Sequence, residues 1–201
     1  MTAPRGAARS LRGFTGAGYH RGRPLAVQVL WFAALNLLFV RWWFPARLRP
    51  PLLRAFGAEV GRRVLIRHRV RVHWPWKLRV GDDVWIGEGA WLVNLEPITI
   101  GHDVCVSQGA LLCTGSHQRR SPTFEFDNAP VTLEPGSWVA ARAVVLRGVT
   151  VGAGAVVGAG AVARADVPPG AVLTTPTALT TPDGSGAVAA RRTGPRDGGR
   201  R

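Results

Sequence analysis

A chain of 201 residues suits one compact domain with extensions and is too short for two large domains. It contains only two cysteines, Cys105 and Cys113, which excludes a disulfide framework and favours the reducing cytoplasm. The net charge of +14 is uneven, because residues 1–79 carry 16 Lys and Arg but a single acidic residue, Glu59. Residues 80–170 carry five basic and nine acidic residues, so the excess positive charge lies in the N-terminal part of the chain.

The first expected element is a flexible basic leader, because residues 1–24 are rich in Gly and Arg. An apolar run follows at 25–40, and it opens a predicted helical extension over residues 25–58. A membrane-spanning helix needs about 20 apolar residues, so this run is too short to cross a bilayer. We expect the helix to lie either on its own oligomer or on the surface of a membrane, at the cytoplasmic face.

The basic N-terminus could attract either nucleic acid or an anionic membrane surface. Its aromatic residues stand among Leu and Val, which favours packing or lipid contact over base stacking. No motif typical of nucleic-acid binding matches this stretch, so we expect no nucleic-acid partner.

An internal repeat of six residues fills the middle of the chain and is its strongest pattern. Val, Ile or Leu occupies all but the last of the repeat positions Val60, Ile66, Val72, Leu78, Val80, Ile86, Leu92, Ile98, Ile100, Val106, Leu112, Leu133, Val139, Val145, Val151, Val157 and Ala163. Two two-residue slips separate Leu78 from Val80 and Ile98 from Ile100. A period of six excludes an α-helix and predicts short strands joined by tight corners, with three repeats to a triangular coil of 18 residues.

We therefore predict an all-β, parallel β-helix domain over residues 59–173, with an N-terminal helical extension and disordered termini. Residues 118–132 interrupt the repeat as an inserted loop, and loops of this length in compact domains are usually functional. Residues 174–201 form a Pro-, Gly- and Arg-rich tail.

Several sequence motifs resemble those of the hexapeptide-repeat acetyltransferases. The resemblance is strongest to the colanic-acid-biosynthesis acetyltransferases, which are related to the maltose and galactoside O-acetyltransferases. The motifs are VWIGEGAWLVNLEPITIG at 84–101, VSQGALLCTGSH at 106–117, SPTFEFDNAPVTL at 121–133, GSWVAARAVVLRGVTVGAGAVVGAG at 136–160 and DVPPGAV at 166–172. The resemblance implies a left-handed β-helix, a homotrimer, and acetyl-CoA as co-substrate in the groove between neighbouring subunits. It implies acetyl transfer to a hydroxyl of a sugar in a polysaccharide precursor, glycolipid or glycoside.

Acetyl transfer to a hydroxyl requires a general base and needs no metal, so we expect no metal site. His117 ends the CTGSH word at the start of the inserted loop and matches the catalytic histidine of the family, so it is the predicted base. Asn94 is expected on the same side of the prism, about 5 Å away along the axis, either binding the acceptor or stabilising a corner. Ser107 and Gln108 are further acceptor-binding candidates. Phe124 and Phe126 are expected to pin the loop.

The coenzyme candidates are carried over from the family. Trp138 matches the tryptophan beside the pantetheine arm, and Ala141 and Ala159 match positions whose backbone contacts that arm. The C-terminal motif differs from that of the family, because this chain has Arg164-Ala165-Asp166 where the family usually has Thr-Lys-Asp. Arg164 could supply the missing positive charge. The alternatives are an acyltransferase for a non-sugar or amino acceptor and a non-catalytic trimeric scaffold.

Overall fold

The computed structural model describes residues 11–175 and two further short strands near the C-terminus. It confirms the predicted architecture, a left-handed parallel β-helix of about six turns behind an N-terminal helical region. The strands are β1 Glu59–Val60, β2 Leu65–Ile66, β3 Arg71–Val72, β4 Leu78–Val80, β5 Trp85–Ile86, β6 Trp91–Val93, β7 Ile98–Ile100, β8 Cys105–Val106, β9 Leu111–Cys113, β10 Val131–Leu133, β11 Trp138–Val139, β12 Val144–Leu146, β13 Thr150–Val151, β14 Val156–Val157, β15 Val162–Ala163, β16 Val172–Leu173, β17 Ala178–Leu179 and β18 Val188–Ala189.

Three parallel sheets form the three faces of the prism. The first sheet has the order β1-β4-β7-β10-β13, the second β16-β14-β11-β8-β5-β2, and the third β15-β12-β9-β6-β3. Strands β17 and β18 pair with each other in an antiparallel manner. The predicted disorder of the first ten residues and of most of the tail falls outside the described residues.

The predicted repeat positions form the interior of the prism. Val60, Val80, Ile100, Leu133 and Val151 are aligned in the first sheet, and the other two sheets align their own repeat positions in the same way. Every repeat position except Val60 is buried. Burial of these stacked aliphatic side chains is the main stabilising term, at roughly 1.5–3 kcal/mol for each large one.

The two slips are accommodated within single strands. Leu78 and Val80 both point inward from β4, and Ile98 and Ile100 do the same from β7. Pairing of Val60 with Val80 and of Val80 with Ile100 makes the early coils 20 residues long, which is the 18-residue coil plus the predicted two-residue slip. Between Leu133 and Val151 the step returns to 18 residues.

Two edges of the prism differ in regularity. The edge between the second and third sheets, here called the regular edge, has four-residue corners at 67–70, 87–90, 107–110, 140–143 and 158–161. The edge between the third and first sheets, here called the broken edge, carries the irregular corners 73–77 and 94–97 and the whole inserted segment 114–130. The segment ends at Pro130 and not at the predicted residue 132, because Val131 already pairs with Ile98.

The N-terminal helices close one end of the prism. Helix α1, Leu25–Ala34, continues into a π-helical segment, Leu35–Phe39, and helix α2 covers Arg49–Ala55. Prolines in its first turn favour the start of α2, and Gly57 at φ +92° ends it, with the Ala58 N–H bonded to the Leu53 carbonyl.

Polar anchors fix these helices on the first coil. The Trp31 indole donates to the carbonyls of Val72 and His73 at 3.1 and 3.0 Å. The buried Arg49 guanidinium donates to three backbone carbonyls, those of Phe39, Arg41 and Ile66. The helical region therefore covers the open end of the apolar core, as end caps of solenoids do. No helix in the part of the chain that the structure describes is long and apolar enough to cross a membrane.

Candidate active site

The inserted segment is a hairpin that presents His117 on the broken edge. Its two arms are joined by the Gln118 N–H to the Glu125 carbonyl and by the Asp127 N–H to the Ser116 carbonyl, both at 2.8 Å. His117 lies opposite Phe126 in the pairing of the arms. Its ring stacks on Phe124 with centroids 4.3 Å apart, and Phe126 stacks at 5.1 Å. Both phenylalanines thus hold the loop and the imidazole together, as predicted.

The hydrogen bonding of the ring fixes its tautomer. The Nδ1 atom lies 2.8 Å from the carbonyl oxygen of Phe124, which can only accept a hydrogen bond. In the neutral ring Nδ1 must therefore carry the proton, which leaves Nε2 with its lone pair available. The half-buried His117 is oriented as a general base needs to be, with one nitrogen anchored and the other able to take a proton.

An N-terminal segment, residues 11–23, packs across this hairpin and replaces the flexible leader that the sequence predicted there. The Phe14 ring meets His117 edge-on at 5.6 Å and Phe126 at 5.2 Å. The Glu125 carboxylate accepts hydrogen bonds from Thr15 and Gly16 at 3.0–3.1 Å, and backbone donors at Thr15 lower the pKa of Glu125. We call this segment the strap.

The strap continues along the broken edge. The Trp74 indole donates to the Tyr19 hydroxyl at 2.6 Å, and the Trp76 indole donates to the carbonyl of Arg21 at 2.6 Å. Aromatic residues from the bulky corner 73–77 therefore hold the strap in place. The contact went unpredicted because its partners are about 50 to 110 residues apart in sequence and because Gly and Arg dominate the composition of the strap.

A polar cleft opens beside the imidazole. It is lined by Ser116, Gln118, Arg119, Arg120, Ser121, Asp127 and Arg147. Asp127 forms an ion pair with Arg147 across the base of the hairpin, so neither it nor Glu125 orients His117. Within residues 11–175, no carboxylate lies within ion-pair distance of Arg119 or Arg120, so the cleft is net positive. Such a cleft suits a polyhydroxylated or anionic acceptor.

Asn94 lies one coil before His117 on the broken edge, as its position predicted, but it cannot reach an acceptor. The side chain is fully buried. Its Oδ1 accepts from the N–H groups of His73 and Trp74 at 3.0 Å, and its Nδ2 donates to the Trp74 carbonyl at 2.5 Å. The acceptor-binding interpretation of Asn94 is wrong, and the corner interpretation holds, because its amide hydrogen-bonds the backbone of the neighbouring corner.

Most of the other predicted site residues lie away from His117 of the same chain. Ser107 and Gln108 form a corner of the regular edge, and the exposed Trp138 indole donates to the Ser107 hydroxyl at 2.8 Å. The structure thus groups these three residues with each other near the regular edge and does not bring them to the imidazole of the same chain. Arg164 lies on the broken edge, after β15, which stacks two coils beyond β9.

Ala141 and Ala159 occupy equivalent corners of the regular edge in successive coils. The Ala141 carbonyl accepts from the Gly160 N–H at 3.0 Å, and the Ala159 carbonyl accepts from the Thr175 hydroxyl at 3.2 Å. Within the described part of the chain, neither residue's own N–H donates to another backbone group. Their small side chains leave those N–H groups open to a ligand, as a backbone contact requires.

Comparison with known proteins gives a consistent result. No protein-family model matches the chain. It is 40% identical over 138 residues to the "Putative colanic acid biosynthesis acetyltransferase WcaF" of Escherichia coli strain K12, covering 67% of this chain and 74% of that protein.

Two solved structures share the fold. A hexapeptide-repeat acetyltransferase of Vibrio cholerae in complex with acetyl coenzyme A aligns with a TM-score of 0.67 and 26% identity, over 79% of this chain and 86% of that one. A galactoside acetyltransferase in complex with coenzyme A aligns with a TM-score of 0.66 and 20% identity, over 73% and 75% of the two chains.

Proposed function

The chain belongs to the hexapeptide-repeat acetyltransferase family that includes WcaF of Escherichia coli, and from this we propose that it acetylates a sugar hydroxyl with His117 as the general base. It is an acyltransferase whose co-substrate is acetyl-CoA. The single observation that carries the proposal is the anchored imidazole, whose Nδ1 is bonded to the Phe124 carbonyl while Nε2 stays available beside a polar cleft. The name of the relative supports a polysaccharide precursor as the acceptor.

The proposed reaction is one direct transfer. Nε2 of His117 accepts the proton of the acceptor hydroxyl as its oxygen attacks the thioester carbonyl of acetyl-CoA. The new C–O bond forms, the C–S bond breaks, and the imidazolium returns its proton to the departing thiolate, so the products are the acetyl ester and coenzyme A. The Phe124 carbonyl stabilises the imidazolium formed midway, because it accepts from the Nδ1 proton throughout.

The coenzyme-binding part of the proposal uses residues from two places. Trp138 and the open N–H groups of Ala141 and Ala159 suit a pantetheine arm, which combines apolar stretches with amides. Arg164 lies on the same edge as His117 and suits the phosphate groups of the coenzyme. Arg164 therefore takes the role of the lysine in the family's Thr-Lys-Asp motif.

His117 and Trp138 of one chain lie on different sides of the prism, so we propose that each active site is shared by two subunits of a homotrimer. The outward positions of the sheets support this assembly. The first sheet shows polar side chains along its length, namely Glu59, Arg79, Thr99, Thr132 and Thr150. The second shows Leu65, Trp85, Cys105, Trp138, Val156 and Val172, which suits burial against a neighbour.

Two apolar faces on each chain fit a rotationally symmetric trimer in which each chain uses two different surfaces. Beyond Arg71, whose guanidinium lies over the Trp91 ring, the third sheet presents Trp91, Leu111, Val144 and Val162 outward, and it would face the second sheet of the neighbour. The broken edge of one chain would then lie beside Trp138 of the next. We place the protein in the cytoplasm, where its two free cysteines remain reduced.

The test is a thiol-release assay with acetyl-CoA against a panel of free sugars, nucleotide sugars and lipid-linked glycans. We expect turnover with at least one acceptor of this class and binding of acetyl-CoA in calorimetry. Turnover only with amines would move the acceptor to the amino class. No binding of the coenzyme would contradict the proposal and favour a trimeric scaffold.

A further inference from the structure

The outer side of the N-terminal helical region is an exposed apolar surface. It consists of Leu25, Val29, Leu30, Phe32, Leu37, Trp42 and Trp43, and we call it the cap surface. Trp42 is 80% exposed and Phe32 is 68% exposed, which is unusual for side chains of this size. An exposed cluster of large apolar side chains of this kind marks a contact with a partner or a membrane.

The helices beneath this surface are already held on the prism. Trp31 and Phe39 are fully buried and pack against each other with centroids 5.7 Å apart, and Arg49 ties the same region to the first coil. The cap surface is therefore the second apolar face of an element whose first face covers the core. Rotation of the helices to bury it would expose Trp31 and Phe39 instead.

The charge around the cap surface is positive. The sequence has no acidic residue before Glu59, and the exposed Arg41 and Arg47 flank the two tryptophans. Arg67 lines a cleft with Trp42 and Trp43. Across the described ranges, no carboxylate lies within ion-pair distance of these three arginines, whereas Arg62, Arg63, Arg69 and Arg79 on the coils all have acidic partners.

We propose that the cap surface docks on an anionic lipid bilayer and that the acceptor is a lipid-linked glycan. Aliphatic side chains and tryptophans with unpaired arginines between them suit the boundary between headgroups and acyl chains. A second copy docked cap to cap would bring like charges together, and a nucleic acid would leave the aliphatic side chains in water. The lipid-linked acceptor rests on the proposed function, whereas bilayer docking does not.

The position of His117 agrees with this acceptor. The strand that leads into its hairpin, β9, stacks two coils above β3, which lies against the helical region, so the hairpin begins about 10 Å above the first coil. A glycan whose lipid anchor stays in the bilayer could reach that height. In a trimer of side-by-side solenoids, all three cap surfaces would face the same end, and simultaneous docking would strengthen binding by avidity.

Vesicle co-sedimentation of the full chain tests the docking. Vesicles of phosphatidylcholine alone are compared with vesicles of phosphatidylcholine and phosphatidylglycerol in a 7:3 ratio, at low and high salt. We expect binding to the anionic vesicles, weakened by salt, and little binding to the neutral ones. The double variant Trp42→Ser/Trp43→Ser should reduce the vesicle-bound fraction at least tenfold.

Arginine variants separate specific docking from net charge. Arg41→Gln/Arg47→Gln should weaken vesicle binding several-fold, while the charge-matched control Arg62→Gln/Arg79→Gln should have little effect because those arginines have acidic partners on the coils. Equal losses from both pairs would overturn the proposal. Unchanged binding by the tryptophan variant, or a doubled mass in solution without lipid, would also overturn it, the latter in favour of a second copy.

Activity assays on the tryptophan variant test bilayer docking separately from the proposed function. The tryptophan variant should retain thiol release with a soluble acceptor and lose it selectively with the lipid-linked glycan in vesicles. Loss of both activities in a folded trimer would contradict the inference that the cap acts only in docking. Normal vesicle binding by a wild-type protein that acetylates no acceptor would leave docking intact and contradict the proposed function alone.

Discussion

The regular edge and the broken edge are built by the same repeat, yet only one of them carries the candidate base. Along the regular edge, four-residue corners stack directly on one another, and the backbone at Gly87 comes close to that of Ser107 and Gln108 in the next coil. Along the broken edge, extra residues at 73–77, 94–97 and 114–130 widen the corners and end in the hairpin that holds His117. The solenoid is regular where the repeat is unbroken, and it carries the candidate base where the repeat is interrupted.

The largest effect expected on the broken edge is on turnover. His117→Ala removes the only imidazole of the hairpin, so turnover should fall at least about 100-fold while the trimer and coenzyme binding persist. The matched control is His102→Ala, an exposed histidine at the corner between the first and second sheets that is paired with Asp103. It should leave turnover within about two-fold. Steady-state kinetics of both variants would measure the difference, and near-normal turnover of the first would remove the assignment of the base.

The next effect concerns stability at the same edge. Asn94→Ala leaves the Trp74 N–H without its partner, and it removes one of the two hydrogen bonds made by the His73 N–H and by the Trp74 carbonyl, so the free energy of unfolding should fall by about 1–3 kcal/mol. Asn36→Ala, which removes one exposed hydrogen bond on the N-terminal helices, should cost less than about 1 kcal/mol. Chemical denaturation would check both values. Loss of acceptor affinity with unchanged stability would restore Asn94 to the acceptor site.

A pair of glycine variants compares the two edges directly. On the regular edge, a Cβ added at Gly87 would lie 2.6 Å from the backbone nitrogen of Gln108, so Gly87→Ala should destabilise the protein by about 1–3 kcal/mol. On the broken edge, a Cβ at Gly115 would lie 2.7 Å from the end of the Leu95 side chain, which can move. Gly115→Ala should therefore cost less than about 1 kcal/mol. Equal melting temperatures for the two variants would show that both edges tolerate change alike.

The smallest expected effect comes from the strap. Phe14→Ala removes one aromatic contact of His117. Turnover should fall only a few-fold, because Phe124 and Phe126 still contact the imidazole. The hydrogen bonds that the Glu125 carboxylate accepts from the strap lower the pKa of Glu125 in the folded protein. Their contribution to holding the strap on the hairpin is therefore complete above the ordinary pKa of 4.5, and it is lost as the pH falls through the lower folded value. Proteolysis of the strap should accelerate only in that acidic range, and Glu125→Gln should remove the pH dependence. A strap that is cleaved equally fast at all pH values would contradict this docking.

The sequence predicted the regular parts of the molecule well, because a six-residue period directly encodes inward and outward positions. It also located the inserted loop that carries His117, since an interruption of a strong period is visible. It failed for Asn94, because the sequence cannot tell which polar side chains at the corners are already hydrogen-bonded to the neighbouring backbone. It also missed the strap, whose contacts join residues far apart in the chain, and the Arg147–Asp127 ion pair, whose partners meet only after the hairpin forms.

The central claim is that a base on the broken edge of one chain works with a coenzyme bound on the regular edge of the next. Mixing two inactive chains tests this most directly: His117→Ala, and Ala159→Trp to obstruct the coenzyme groove at an exposed corner. In randomly mixed trimers, about a quarter of the shared sites would combine an intact His117 with an intact coenzyme edge, so about a quarter of wild-type turnover should return. Hybrid trimers of confirmed composition with no turnover above that of the parent variants would place both halves of the site in one chain and contradict the account.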